Sequence, residues 1–263
     1  MTTARRSRVL VTGSSQGLGM MAAQLLAKEG HRVSLHVRSP ERVAEARAEL
    51  PAAEHVLVAD VSTIAATREL AHQANATGRY DAVIHNVAVG YQEPRRVETA
   101  DGLELVFAVN VLVPYLLTAL MQRPSRLVYL SSGLHRSGRA DLGDVQWKRR
   151  RWNGGQAYSD SKLFDVMLAF AVARRWPGVL SNALEPGWVA TRMGGPGAPD
   201  DLTLGSVTQA WLATSDDREA TVTAGYFFHQ KPRSVHPAAR EPRLQDELLE
   251  YCQSCTGVAL PRD

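Results

Sequence analysis

Short runs of apolar, β-branched residues recur along the chain, each followed by a longer stretch whose apolar positions return every three or four residues. The runs RVLVT (8–12), RVSLHV (32–37), HVLVA (55–59), DAVIHN (81–86), RLVYLS (126–131), VLSNALE (179–185) and GYFF (225–228) predict seven strands. Helical patterns fall near 18–29, 40–50, 63–76, 102–121, 157–176 and 201–214, with another in LQDELLEYCQS towards the end. In 157–176 the buried face is expected to carry Leu163, Val166, Met167 and Phe170, at i, i+3, i+4 and i+7. Strands alternating with helices predict an α/β fold, one doubly wound parallel sheet with helices on both faces, as a single domain over 1–263. Two segments look irregular, 133–156 and the Gly/Pro-rich 194–201. In a doubly wound sheet ligands bind beyond the carboxyl ends of the strands, so such segments are where a site is built.

Composition narrows the class. The chain has 263 residues, 44% of them hydrophobic, and a net charge of +3, too small and scattered to argue for nucleic acid. The longest apolar run, VFAVNVLVPYLLTALM, carries Asn110 and Pro114 and is shorter than the ~18 residues of a membrane span. No secretory segment is visible, so a cytoplasmic protein without a membrane partner is expected. The two cysteines, Cys252 and Cys255, form a C-x-x-C on a predicted helix, too few for a tetrahedral metal site and without the βαβ context of a redox pair. No metal site is expected.

The chemistry begins at VTGSSQGLG, which follows the first strand and opens the first helix. Gly13, Gly17 and Gly19 allow a tight turn and close approach of backbone to a pyrophosphate, and the helix N-terminus adds unpaired N–H groups. The spacing G-x-x-x-G-x-G differs from the commoner G-x-G-x-x-G, but it stands in the strand–turn–helix context a dinucleotide needs. The second strand ends in Val37 and Arg38, where an NAD site offers a carboxylate to the adenosine ribose. A guanidinium there pairs with a 2′-phosphate, so NADP is expected over NAD. Further along, QAYSDSK puts Tyr158 and Lys162 four apart on one helix face.

Together these residues resemble the short-chain dehydrogenase/reductase superfamily, with seven motifs in order over nearly the whole chain. TGSSQGLG is similar to the family's glycine loop, ADVS to its adenine-contacting step and HNVA to its fourth-strand motif. VNVLVPYLLT resembles the helix bearing its asparagine, YLSSG its serine motif, YSDSK its Tyr-x-x-x-Lys motif, and PGWVAT its nicotinamide-side loop. The resemblance implies a Rossmann-like NADP-binding domain and a homodimer or homotetramer. It implies catalytic roles for Asn110, Ser132, Tyr158 and Lys162. It implies cofactor contacts from Gly13, Ser15, Gly17, Leu18, Gly19, Arg38, Asp60, Val61, Asn86, Tyr158, Lys162, Pro186, Gly187, Val189 and Thr191. Two departures stand out. His85-Asn86-Val87-Ala88 replaces the usual Asn-Asn-Ala-Gly, adding a Cβ near the nicotinamide ribose. About 25 residues (133–157) separate Ser132 from Tyr158, as in the branch similar to retinol dehydrogenases and protochlorophyllide reductases, which handle large apolar substrates.

The implied roles are physically sufficient. A phenol near its ordinary pKa of ~10 must come down by about three units to act as a base at neutral pH, which needs roughly 4 kcal/mol. One cation at about 4 Å gives up to about 4 kcal/mol at an effective dielectric near 20, so Lys162, aided by an oxidised nicotinamide, suffices. Lys162 is also expected to hold the nicotinamide ribose, and Ser132 to polarise a substrate carbonyl. Pro114 lacks an N–H, so the carbonyl of Asn110 four residues earlier loses its helical partner and is expected to hold a relay water.

The expected activity is hydride transfer between NADPH and a small-molecule carbonyl or alcohol, a bulky and mostly apolar ketone or aldehyde. Leu134, His135, Trp188 and Met193 are candidates for the pocket, and 192–205 for a mobile lid. Two other readings compete: an NADP-sensing binding protein without turnover, and a basic surface at WKRRRW (147–152) docking RNA or an acidic partner. Intact Ser132, Tyr158 and Lys162 weigh against the first. For the second, a solvated insertion with Trp147 and Trp152 packed onto the body is the simpler expectation, the alternative being that 133–157 forms a pocket wall.

Overall fold

The structure, a computed structural model, describes residues 6–263. Seven strands run parallel: β1 (Arg8–Val11), β2 (Arg32–Val37), β3 (His55–Val58), β4 (Ala82–His85), β5 (Arg126–Leu130), β6 (Leu180–Glu185) and β7 (Tyr226–Phe228). An eighth, β8 (Lys231–Pro232), pairs antiparallel with β7. The order is β3-β2-β1-β4-β5-β6-β7-β8, so the winding reverses between β1 and β4. The sequence pattern predicts seven strands; β8 escapes it because two residues have no periodicity. Between the strands lie α1 (Gly17–Lys28), α2 (Glu41–Glu49), α3 (Ile64–Ala76), α4 (Leu105–Phe107), α5 (Val113–Leu120), α6 (Gly154–Arg175) and α7 (Val207–Thr214), and α8 (Pro242–Thr256) follows the last strand.

Each face of the sheet carries its own core. One gathers Met20, Ala23 and Leu26 of α1 with Ala210 and Leu212 of α7. The other packs α3, α5, α6 and α8 around Leu163, Phe164 and Phe170. Both faces are covered, so the strands read as continuous apolar runs and not as alternation. Helix α6 begins three residues before its expected start, because the side chain of Asn153 accepts from the N–H of Gln156 and caps it. From Ala157 to Ala173 every residue of α6 is buried, so its polar residues need internal partners.

Within the helix expected over 102–121, the segment before Pro114 is a π turn. Ala108–Leu112 is π-helical, and the N–H of Val113 reaches back five residues to the carbonyl of Ala108. Pro114 then sits in the first turn of α5, where its missing N–H costs little. The expected helix at 201–214 divides into a short 3-10 turn, Leu202–Leu204, and α7. Among the described residues no helix is long and apolar enough to cross a membrane, and no cluster of ligating side chains suits a metal. Cys252 and Cys255 are both free, and burial pushes both thiols up, away from the thiolate a redox pair uses.

The insertion packs onto the body. Trp147 is buried against Val106 and Ala157, with Trp152 edge-to-face at 5.2 Å. Trp152 donates its indole N–H to the carbonyl of Glu93 at 2.9 Å. Arg150 lies 3.6 Å over the Trp147 ring and pairs with Asp160 at 3.1 Å. The basic run is thus partly spent on intramolecular pairs, and these tryptophans anchor the segment. Trp147→Ala is expected to lower the unfolding free energy by about 3 kcal/mol while leaving substrate KM nearly unchanged, as read by urea denaturation and steady-state kinetics. A KM rise confined to bulky substrates would instead make the insertion a pocket wall.

Candidate active site

Two clefts meet beyond the carboxyl ends of the central strands. The first, about 600 Å³, is lined by Gly13, Ser15, Gly17, Leu18 and Gly19, by Arg38 after β2, by 86–93 after β4, and by Lys162, Pro186 and Thr191. The second, about 520 Å³, has mostly carbon walls from Leu18, Tyr91, Leu134, Trp188, Val189, Met193 and Phe228, with Ser132 and Gly187. Tyr158 lines both.

Sterics shape the glycine loop. Gly13 has a φ of 61°, and a Cβ there would come within 2.8 Å of the Cα of Val87. A Cβ on Gly19 would lie 2.5 Å from the Asn86 amide and 2.6 Å from the Gly13 carbonyl. Asn86 therefore ties the loop together: its Nδ2 donates to the carbonyls of Thr12 and Gly13, at 3.0 and 2.9 Å. His36, which sequence reasoning missed, braces the loop from β2. Its Nδ1 accepts from the N–H of Gly13 at 3.1 Å, leaving Nε2 to donate to the carbonyl of Ala59 at 3.0 Å. Burial holds this histidine below its usual pKa, which keeps Nδ1 free to accept. Behind the loop, the N-cap of α1, Gln16, makes no side-chain cap bond. The first N–H groups of a twelve-residue helix thus remain open toward the cleft, where they suit a pyrophosphate.

Asp60 and Val61 are not brought into this lining. They follow β3, at the edge of the sheet, and Asp60 accepts from the N–H of Ser62 at 3.1 Å. Ala88, where the resemblance expects glycine, does line the cleft.

The two serines after β5 divide their work. Ser131 is buried, and its hydroxyl donates to the carbonyl of Lys162 at 2.7 Å, tying β5 to α6. Ser132 faces the apolar cleft and accepts from the N–H of Leu134 at 3.2 Å, which leaves its own proton to donate. Tyr158 lines the apolar cleft beside Ser132, stands edge-to-face to Tyr91 at 5.7 Å, and has the Met193 sulfur 3.9 Å from its hydroxyl. Lys162 Nζ lies 5.6 Å from the centre of the Tyr158 ring. It donates to the carbonyl of Leu130 and to Asp165 Oδ2, both at 2.8 Å. Asn110, in the π turn, accepts from the N–H of Val89 at 2.8 Å and donates to Ser161 at 3.0 Å, joining the loop after β4 to α6.

The electrostatics correct one expectation. Lys162 does pull the Tyr158 phenol down, but burial and the Asp165 carboxylate outweigh it, and the phenol lies above its ordinary value. Without a charge from the cofactor, Tyr158 is a proton donor. His135 differs as well. It is buried, accepts from Tyr226 at 3.1 Å or bonds the carbonyl of Ser132 at 2.7 Å through Nδ1, and stays out of the cleft lining. Among the described residues, the carboxylates lining the apolar cleft are Glu185, paired with Arg136 at 3.2 Å, and Asp200, bonded to the N–H of Trp188 at 2.6 Å. Leu134, Trp188 and Met193 line it as expected.

A family model described as short chain dehydrogenase matches residues 7–201. An uncharacterized oxidoreductase of Emericella nidulans is 41% identical over 97% of this chain and 98% of its own length. A Streptomyces protein named for a proposed daunorubicin C-13 ketoreductase activity is 33% identical, over 95% of this chain and 92% of that one. Human retinol dehydrogenase 13 is 28% identical, over 96% and 85%. Among solved structures, an uncharacterized protein of Mycobacterium paratuberculosis superposes with a TM-score of 0.82 at 25% identity, covering 98% of this chain and 96% of that one. A Burkholderia cenocepacia short chain dehydrogenase in complex with NADP shares the fold, with a TM-score of 0.67 at 20% identity over 84% and 95%.

Proposed function

The chain belongs to the short chain dehydrogenase family, on its retinol-dehydrogenase-like branch, and from that premise we propose an NADP-dependent oxidoreductase acting on a bulky, mostly apolar carbonyl or alcohol. One observation carries this reading: Ser132 and Tyr158 stand where an apolar cleft opens into the cleft of the glycine loop. The nicotinamide, when bound, supplies or accepts the hydride. Gly13, Ser15, Gly17, Leu18 and Gly19 hold the pyrophosphate, Arg38 the 2′-phosphate, and Asn86, Pro186, Gly187, Val189 and Thr191 the nicotinamide side. Ser132 donates to the substrate oxygen, so charge building there meets a fixed dipole. Tyr158 gives that oxygen its proton during reduction. Lys162 orients the ribose and acts on the phenol, and Asn110 keeps the π turn joined to α6.

Segment 192–205 is the lid of this proposal, with Met193 resting against the phenol. The Streptomyces relative is named for reduction of a ketone, which supports a carbonyl as the substrate. NADPH consumption over a panel of small and bulky ketones and aldehydes tests the reading, with turnover expected for bulky apolar members. No turnover on any carbonyl, or on the matching alcohols with NADP+, would leave only an NADP-sensing binding protein. Met193→Ala is expected to raise KM severalfold for bulky substrates and less for small ones, with kcat moving little, because the lost contact binds ground and transition state alike. A homodimer or homotetramer belongs to the same proposal and is read by light scattering.

A further inference from the structure

Lys162 is not free to serve the cofactor cleft alone. An ammonium has three N–H donors. Two of them are spent on the protein side, on the carbonyl of Leu130 and on Asp165 Oδ2, both at 2.8 Å. Lys162 and Asp165 lie three apart on α6, and their side chains are only 3% and 4% exposed. A pair this buried is not a surface ornament, because charges are taken out of water only where each compensates the other. One donor remains to face the cleft that Lys162 lines.

We propose that Asp165 is a positioning residue of the reductase: together with the Leu130 carbonyl it fixes the Lys162 ammonium, and it alone offsets its charge, so that Tyr158 keeps its proton for delivery to the carbonyl oxygen. This rests on the oxidoreductase reading above. The neighbourhood supports it. Groups facing Asp165 are Lys162 and Tyr158 on its own helix and Tyr129 from β5. Tyr129 bonds Thr118 of α5 at 2.7 Å, and Thr118 bonds His85 of β4 at 3.2 Å. Burial keeps the Tyr129 phenol protonated and the His85 ring neutral. From the opposite side Tyr91 and Tyr226 reach Tyr158, and burial holds Tyr226 protonated too. Lys162 is the cation that Asp165 itself meets; Arg136 and Glu185, paired with each other at 3.2 Å, stand beyond it against Tyr226. Burial pushes the Asp165 carboxyl up and Lys162, 2.8 Å away, pulls it back towards the ionised form of an ion pair.

The discriminating variant is Asp165→Asn, which keeps shape and an acceptor for Lys162 but removes the charge. With the ammonium unopposed, Tyr158 should ionise about one pH unit lower, a tenfold change in tyrosinate at fixed pH. Two measurements read it. The first is tyrosinate absorbance against pH for the wild type and Asp165→Asn, each minus its Tyr158→Phe counterpart, which removes the other tyrosines. The second is the alkaline limb of kcat/KM for NADPH-driven reduction, expected to move down by the same unit, while oxidation of the matching alcohol by NADP+ gains at neutral pH. Coincident midpoints and limbs would overturn the proposal, and so would a loss of activity equal at every pH, which marks a merely structural residue. Asp165→Ser, smaller and neutral, should reproduce the shift if the asparagine variant folds poorly. The absorbance titration needs no substrate, so failure of turnover refutes the oxidoreductase reading and leaves the role of Asp165 separately decided.

Discussion

Tyr158→Phe is expected to lower kcat for carbonyl reduction by about a hundredfold to ten-thousandfold, while NADPH affinity stays close to that of the wild type. The ring remains, so its edge-to-face contact with Tyr91 and its place in the buried face of α6 are kept. Only the hydroxyl is lost, and with it the proton that quenches the developing alkoxide. Ser132 cannot replace it, because a serine hydroxyl stabilises the oxyanion without being a comparable acid. The wild-type pH profile follows from the same phenol. Burial and Asp165 hold it above its ordinary value, so reduction should stay flat through neutral pH and fall only on the alkaline side, as the proton is lost. Oxidation needs the opposite form and should rise over that same alkaline range. Stopped-flow NADPH oxidation, with cofactor affinity followed by fluorescence, gives both quantities. Retention of more than a few per cent of the activity would make another residue the acid.

The sequence made the parallel sheet legible because each strand is a continuous apolar run bounded by turn residues, and the glycine loop because its three glycines fall between a strand and a helix. Ser132, Tyr158 and Lys162 were legible through motif order. What stayed hidden depends on contacts between distant residues. His36 reads as one histidine in a strand, and only the fold brings its Nδ1 to Gly13. Asp165 reads as a polar interruption of an apolar helix face, and its meaning comes from the burial that forces it onto Lys162. The missing N–H at Pro114 was legible, the π turn before it was not, since the missing donor says that the ladder changes and not how the chain absorbs it. Packing of Trp147 and Trp152 onto the body was the simpler expectation, and the contacts with Val106 and Ala157 agree with it, although the partners themselves could not be read from the sequence.

Arg38→Asp is expected to weaken NADPH binding by about a hundredfold while leaving NADH binding unchanged or tighter. The argument is one of position and sign. Arg38 follows β2, beside β1, and lines the glycine-loop cleft on the side away from β5 and β6. The other cations of that cleft, Lys162 and Arg192, come from α6 and from the segment after β6, on the opposite side of the switch point. Among the described residues Arg38 has no ion-pair partner, and the glycine loop offers no second basic residue to share a 2′-phosphate. A guanidinium binding that phosphate gives charge-assisted hydrogen bonds worth about 1.5–3 kcal/mol, roughly ten- to a hundredfold in affinity. An aspartate in its place removes this and adds repulsion of a dianion, while offering the ribose hydroxyls of NADH an acceptor. The side chain is exposed, so the fold should tolerate the change. Fluorescence titration with both cofactors measures the ratio; equal affinities in the wild type would refute the preference, and a wild-type preference that survives Arg38→Asp would move it to another residue of the cleft.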